Sequence, residues 1–324
     1  MTTRVNHQDT TDRRRAFAAL LGAGTLWGAT FLAGKVALDQ VGPAWLIVWR
    51  LGLASIVLLP LVPWRRLGRQ WRSGEVGPAD AGRILAGALL AGYIMFVLQF
   101  EGLARTTAAS ASLIVAVAPP LLAIGAAVVD GERAGRTAWT AVALSALGVV
   151  LLVGVPGPGR TVVGDALCVA SMAGAAAWTL LSRRVALRIG ALPATALQFA
   201  LAGVLVLPFA VWREGPPPAL SGLPLAAVLF LGVACTAGTF VLWTWAVMRV
   251  ESARAGVVGN VEPVIGRALG VRVLGDTLGP FALAGGAVLV AAAVIAARPD
   301  TAPPDTAPPD AAPPDAAQPA AGLS

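Results

Sequence analysis

The chain is poor in the residues that most often carry catalysis or hold metals. Its 324 residues include one histidine, His7, and two cysteines, Cys168 and Cys235, which both fall inside apolar stretches. These positions offer neither a disulfide pattern nor the spacing of a metal site, and no segment places a nucleophile beside a base. Walker-type phosphate loops are also missing. We therefore expect a protein that is not an enzyme, binds no cofactor or metal, and does not use ATP.

Charged residues are scarce too, at 13% of the chain, whereas soluble domains carry roughly a quarter. A helix needs ~17–25 apolar residues to cross ~30 Å of hydrocarbon. Stretches of about this length without Asp, Glu, Lys or Arg cover residues 16–34, 84–100, 106–129, 137–159, 189–212, 215–248 and 277–297.

Three weaker spans, at 43–62, 166–182 and 253–274, bring the total to ten. Only helices and closed barrels satisfy every backbone polar group in lipid, and barrel strands would alternate over roughly ten residues. The runs do not alternate. The sequence therefore predicts an all-α membrane protein with ten transmembrane helices.

Arginine is distributed unevenly between the predicted loops. With the N-terminus inside, seventeen loop and tail arginines fall on the inner side and three on the outer side. This bias is the positive-inside rule, and it predicts that both termini are cytoplasmic and that the protein spans the inner membrane. The net charge of +7 is then a topology signal, and we expect the lipid bilayer, not nucleic acid, as its partner.

The two ends differ from the rest of the chain. Residues 1–15 are polar and are interpreted as a cytoplasmic N-tail. Residues 299–324 repeat a unit of Asp, Thr or Ala, and Pro, with too little apolar surface to fold, so we expect a disordered cytoplasmic tail.

An internal duplication is the strongest sign of function. Ala118-Pro119-Pro120 precedes Gly131-Glu132 as Glu262-Pro263-Val264 precedes Gly275-Asp276, at an offset of 144 residues. Each half, 16–154 and 164–298, carries five predicted helices, so the two copies would lie inverted in the membrane. Inverted repeats place a binding site at their interface and supply two related conformations, which favours a transporter. The same offset pairs Phe96 with Phe240, Arg105 with Arg249 and Ala109 with Ala253.

Several motifs resemble one family. Trp27-Gly28-Ala29-Thr30-Phe31 followed by Lys35, Arg50 in the second span, and the two proline-to-acid segments are similar to signatures of EamA-type members of the drug/metabolite transporter (DMT) superfamily. The resemblance covers roughly residues 16–298. It implies ten helices in two inverted halves, a central cavity, and a small-molecule substrate.

The ninth predicted span carries the charges that bear most directly on function. Glu262 lies near its middle beside Pro263, which interrupts the helix ladder as Pro119 does in the first half. Since ionisable groups inside a membrane mark substrate and ion paths, we expect Glu262, Asn260 and Arg267 to line the path, with Glu262 as the proton-coupling group. The alternative is a structural ion pair between Glu262 and Arg267.

Aromatic residues divide into two groups. Those deep in spans suit a cavity for apolar or cationic solutes, although core packing explains each equally well: Trp27, Tyr93, Trp178 and Trp243. Those at span ends predict an interfacial belt: Trp45, Trp64, Trp71, Trp139 and Trp212. Lys35 and Arg50 lie toward helix ends or the cytoplasmic half, and we interpret both as structural.

Together these features predict a secondary-active transporter, acting as a proton-coupled exporter of small metabolites, amino acids or drugs by alternating access. The alternative is a non-transporting membrane scaffold or an accessory subunit of lipid or cell-wall synthesis.

The topology yields the first testable prediction. A reporter that is active only outside the cell, fused after Ser324, should give no signal because the arginine bias places that end in the cytoplasm. A fusion ending at Arg213, in a predicted outer loop, serves as the positive control. A strong signal from the Ser324 fusion would contradict the predicted topology.

Overall fold

In a computed structural model, the described residues are 3–118, 121, 124–125, 128, 136–153, 158–247, 261–277 and 279–296, and all regular structure within these ranges is helical. The prediction of an all-α chain is confirmed there. The helices are α1 (Thr3–Leu38), α2 (Pro43–Leu58, with a 3-10 turn at Leu59–Leu61), α3 (Trp64–Arg72), α4 (Pro78–Arg105), α5 (Ala108–Val117), α6 (Arg136–Val153), α7 (Val162–Ile189), α8 (Ala191–Glu214), α9 (Gly222–Gly232, Val233–Gly238 and Thr239–Val247), α10 (Val261–Leu274) and α11 (Pro280–Ala296).

Hydropathy marks most of these helices as membrane spans. In the described part of the chain, six are long and apolar enough to cross a bilayer: Ala18–Ala37, Pro43–Leu61, Pro78–Arg105, Val162–Ile189, Ala191–Glu214 and Gly222–Trp243. Shorter apolar helices cover Ala108–Val117, Trp139–Leu151 and Leu283–Ala292. All lie where the sequence predicts spans, while the full set of ten and the side of the termini stay predictions.

The helices follow the spacing of the sequence duplication. α4 and α9 begin 144 residues apart, and so do α6 and α11. Helices at equivalent positions contact each other: α2 packs on α8, α5 on α10, and α6 on α11. In addition, α1 packs on α9 while α4 packs on α7. The first helix of each half thus packs on the third predicted span of the other half, as expected when a two-fold axis relates two copies of one unit.

Small residues bring the backbones of α1, α5 and α10 together. A Cβ atom at Gly28 of α1 would lie 2.8 Å from the carbonyl oxygen of Glu262, and one at Gly270 of α10 would lie 2.8 Å from the backbone nitrogen of Ala109. Such close approach drives helix association in lipid, where leucine has no advantage over the surrounding tails. α10, which carries Glu262, is therefore held between two helices of the first half.

Carboxylates of the second half cap helices of the first half. Glu214, at the end of α8, accepts hydrogen bonds from the backbone N–H groups of Ala44 (2.8 Å) and Trp45 (3.1 Å) at the start of α2. Asp276 accepts one from the N–H of Ala109 at the start of α5, at 2.9 Å. The first N–H groups of a helix lack partners within the helix and carry positive dipole charge, so each carboxylate stabilises the end it meets.

Of the five tryptophans predicted to form an interfacial belt, four are exposed and Trp45 is buried. Its side chain is 5% exposed, and its indole N–H donates to the carbonyl of Gly215 at 3.0 Å. The end of α8 covers this end of α2, so a residue near a span end is buried by a neighbouring helix. The exposed four are Trp64, Trp71, Trp139 and Trp212.

The cap on α2 gives the second prediction. Glu214→Ala removes acceptors from two N–H groups and should destabilise the protein by about 0.5–2 kcal/mol, the usual cost of losing a helix cap. The measurement is thermal unfolding of the purified protein in detergent. Glu75→Ala is the matched control because Glu75 lies exposed in the loop after α3. Equal melting temperatures for the two variants would show that the cap contributes nothing.

Candidate functional site

Arg50 is a charged residue buried where the two halves meet. It lies on α2, its exposed fraction is 4%, and its Nε donates to the hydroxyl of Thr236 on α9 at 2.6 Å. The guanidinium lies over the ring of Phe96 at 4.7 Å and that of Phe100 at 5.5 Å. A cation–π contact of this kind reaches ~2 kcal/mol or more when it is desolvated. Groups from both halves thus hold one positive charge.

The hydrogen bonding of Arg50 is incomplete. Its Nη1 is fully buried and has no hydrogen-bond partner in the described structure. Glu262, half-buried on α10, is the carboxylate that acts on Arg50 electrostatically. Its place in the span led to the interpretation of Arg50 as structural, which fits its contact with a neighbouring helix but did not foresee the buried Nη1 without a described partner. The signal that could have revealed it is the cost of a charge inside an apolar helix.

Two π-helical turns shape the space around Arg50. They span Leu90–Val97 in α4 and Val233–Gly238 in α9, close to equivalent positions of the two halves. A π turn leaves the regular ladder, and such turns are frequent at functional sites. In α9 the hydroxyl of Thr236 donates to the carbonyl of Leu231 at 2.7 Å, five residues earlier. This bond orients the hydroxyl so that its oxygen accepts from Arg50.

Aromatic rings continue from Arg50 into the bundle. Phe199 of α8 lies 6.0 Å from Phe96 and 6.4 Å from Phe240, the pair related by the sequence duplication. Trp178 of α7 stacks on Phe199, with ring centroids 5.7 Å apart and planes 19° apart. We refer to these residues as the central cluster: Arg50, Phe96, Phe100, Trp178, Phe199, Thr236 and Phe240.

A buried amide fixes one end of this cluster. Gln198 is fully buried, and its Oε1 accepts from the Trp178 indole at 2.9 Å and from the Ser182 hydroxyl at 2.7 Å. A Cβ atom at Gly87 would lie 2.3 Å from its amide nitrogen, so a glycine there leaves room for the amide in this position. The two donors determine the orientation of the amide and hold Trp178 in its stacked position. Gln198 did not stand out in the sequence because its partners lie on separate turns and helices.

The predicted aromatic residues do not form one group. Trp178 belongs to the central cluster. Trp27 and Trp243 pack on each other between α1 and α9, with centroids 5.2 Å apart. Tyr93 donates its hydroxyl to the carbonyl of Leu205 at 2.7 Å and packs edge-on against Phe209. The aromatic side chains are therefore distributed between three contacts.

The predicted residues of the ninth span differ in burial where the structure describes them. Glu262 is half-buried, Pro263 is buried, and Arg267 is exposed, all on α10. Asn260 and Pro119 lie outside the described residues. Within those residues, no three His, Cys, Asp or Glu side chains are grouped so as to hold a metal ion.

A bundle of apolar helices with a buried charge between two similarly built halves is the architecture of a multi-pass membrane transport protein. The chain belongs to the EamA-like transporter family, whose model matches residues 14–154 and again 162–298. This confirms the resemblance drawn from the motifs, and it confirms that the protein is a transporter, not an enzyme, of the inner membrane.

Relatives along most of the chain are transporters by name. An uncharacterized transporter of Archaeoglobus fulgidus is 27% identical, covering 82% of this chain and 91% of its own. A Streptantibioticus cattleyicolor protein, "Probable terminal-alkyne amino-acid exporter", is 29% identical, covering 86% and 91%. A solved crystal structure covers 87% of this chain and 96% of its own, at 21% identity and a TM-score of 0.56, and it shows a shared fold.

The contact between Arg50 and Thr236 gives the third prediction. Thr236→Val keeps the shape of the side chain but leaves the Arg50 Nε without its acceptor, a loss of about 1–3 kcal/mol for a buried group. Thr239→Val is the matched control because, among the described residues, that hydroxyl bonds to carbonyls of its own helix and not to Arg50. We expect a lower melting temperature in detergent for Thr236→Val than for Thr239→Val. Equal values would contradict a stabilising role for the contact.

Proposed function

We propose that this chain is a proton-coupled, secondary-active exporter of small metabolites, amino acids or drugs, which works by alternating access between two inverted halves, 16–154 and 164–298. The observation that carries the proposal is the buried guanidinium of Arg50, held by Thr236 of one half and by Phe96 of the other. A charge at such an interface experiences any relative movement of the halves. Burying it is expensive, and inside a membrane such groups serve solute or ion paths.

The amino-acid class is favoured within this range. The Streptantibioticus cattleyicolor relative is named for amino-acid export. The central cluster supplies matching chemistry, since an arginine suits a carboxylate and aromatic rings suit an apolar side chain.

Glu262 is our candidate for proton coupling, and Asn260 and Arg267 are proposed to lie along the same path. Glu262 is half-buried, and its backbone is held against Gly28 of α1. It also acts electrostatically on Arg50 in the central cluster. A half-buried carboxylate that interacts electrostatically with Arg50 can bind and release a proton as the surroundings of that arginine change during transport. Trp27 and Trp243, which pack together, and Tyr93 are proposed to line the path further from Arg50.

A flux measurement separates this function from a scaffold. The purified protein in liposomes should move amino acids when a proton gradient is imposed, and flux should stop when an ionophore collapses the gradient. A protein that moves no solute in a panel of amino acids, metabolites and drugs would support the scaffold or accessory-subunit alternative.

The fourth prediction tests the coupling residue. Glu262→Gln should insert normally and still bind substrate, because Gln keeps the shape and one oxygen, but it should lose proton-driven flux. Glu75→Gln, at an exposed loop carboxylate, is the control that should transport like the wild type.

The structural ion-pair alternative predicts a different pattern. Glu262→Gln and Arg267→Ala would then each misassemble, and the double variant would recover. Normal transport by that double variant would overturn the coupling role of Glu262.

A further inference from the structure

We infer that Arg50 is the anchor for the substrate's carboxylate, and that the exported solutes are carboxylic acids whose apolar part lies against the rings of the central cluster. This inference rests on the proposed transport function and deepens it by assigning the residue that binds the substrate. It also assigns Arg50 a binding role that the sequence patterns did not indicate.

The unused hydrogen-bonding capacity of Arg50 is the first argument. Buried polar groups are nearly always hydrogen-bonded, and a buried charge is costly unless it is paired. Arg50 is 4% exposed, yet its Nη1 has no partner in the described structure. A carboxylate is the group that a guanidinium matches best, because its two oxygens accept parallel N–H bonds.

A comparison within the molecule strengthens this reading. Arg160 is also buried, but its Nη2 meets the carboxylate of Asp165 at 2.5 Å, and Asp165 also accepts a hydrogen bond from Thr106. That ion pair neutralises the charge of Arg160 within the protein. Arg50 has no such direct ion pair with a described residue. The two buried arginines thus differ in the feature that a ligand would supply.

The surroundings of Arg50 hold it in place and leave its Nη1 without a hydrogen-bond partner among the described residues. Thr236 engages Nε, and Phe96 and Phe100 engage the guanidinium through their ring faces. None of these contacts neutralises the charge. They set the position of the guanidinium, so that little side-chain entropy remains to be lost when an anion binds.

The aromatic rings define the rest of the solute. Phe199 and Phe240 lie beyond Phe96 in the central cluster, followed by Trp178. An apolar or aromatic side chain gains from contact with such rings, and a polar one would not. The combination selects an amphipathic acid with a compact apolar group.

Glu262 supplies the internal competitor. It is the carboxylate that acts on Arg50 electrostatically, from a different helix than the aromatic rings. A solute carboxylate at Arg50 and a charged Glu262 would share one positive charge, so each weakens the binding of the other. Removing the Glu262 charge should therefore tighten the binding of acids and should not tighten the binding of their amides, which lack the competing carboxylate.

The test compares acids with their amides, which differ only at the carboxylate. L-Leucine with L-leucinamide and L-phenylalanine with L-phenylalaninamide are titrated against the purified full-length protein by calorimetry. We expect the wild type to bind at least one acid about tenfold or more tightly than its amide, in line with a charge-assisted hydrogen bond. Arg50→Gln should abolish this preference, Arg50→Lys should reduce it, and Glu262→Gln should increase it.

Matched variants keep the result decisive. Arg66→Gln, at an exposed position of α3, should keep the wild-type preference. Because the acid-to-amide ratio is read within each folded variant, Arg50→Lys still decides the question if Arg50→Gln does not fold. A wild type without acid preference, a preference retained in the Arg50 variants, or its loss in Arg267→Gln instead would overturn the inference. Acid-selective binding without flux of any solute would contradict the proposed transport function and leave the anchor in place.

Discussion

A positive charge buried between two halves of a membrane protein is the constraint on which the centre of this molecule depends. Such a charge costs several kcal/mol of desolvation unless its surroundings compensate. Here the compensation comes from one hydroxyl and two ring faces, delivered by Thr236, Phe96 and Phe100. Each of these groups lies in or beside a π-helical turn, so the irregular backbone of α4 and α9 serves to present partners to Arg50.

The two halves share a backbone plan and differ in chemistry. Both carry a π turn near the same position, yet the residue that matches Thr236 in the first half is Gly92, which packs closely against Val206. In the helix caps described above, the second half supplies the carboxylates, Glu214 and Asp276, and the first half supplies the helix ends that they cap. Duplication thus accounts for the shared backbone plan, and differences between the copies account for their different polar contacts.

The candidate site was only partly predictable. Trp178 and Glu262 stood out because an aromatic ring or a carboxylate deep in an apolar span is unusual wherever its partners lie. Arg50 was interpreted as structural from its position in the span, and the hydroxyl that it contacts could not be foreseen because it lies 186 residues away on α9. Gln198 and Thr236 are ordinary polar residues in a span, and only their hydrogen bonds give them a role.

The sequence by itself determined that the chain is a helical membrane protein and which family it resembles, because hydropathy and motif spacing are properties of continuous segments. The tertiary structure alone decided which polar groups meet. It buried Trp45 under the end of α8, against the expectation from its place near a span end. It also left the Nη1 of Arg50 without a described partner. Such outcomes depend on how helices distant in the chain pack together, and small residues at their crossings set that packing.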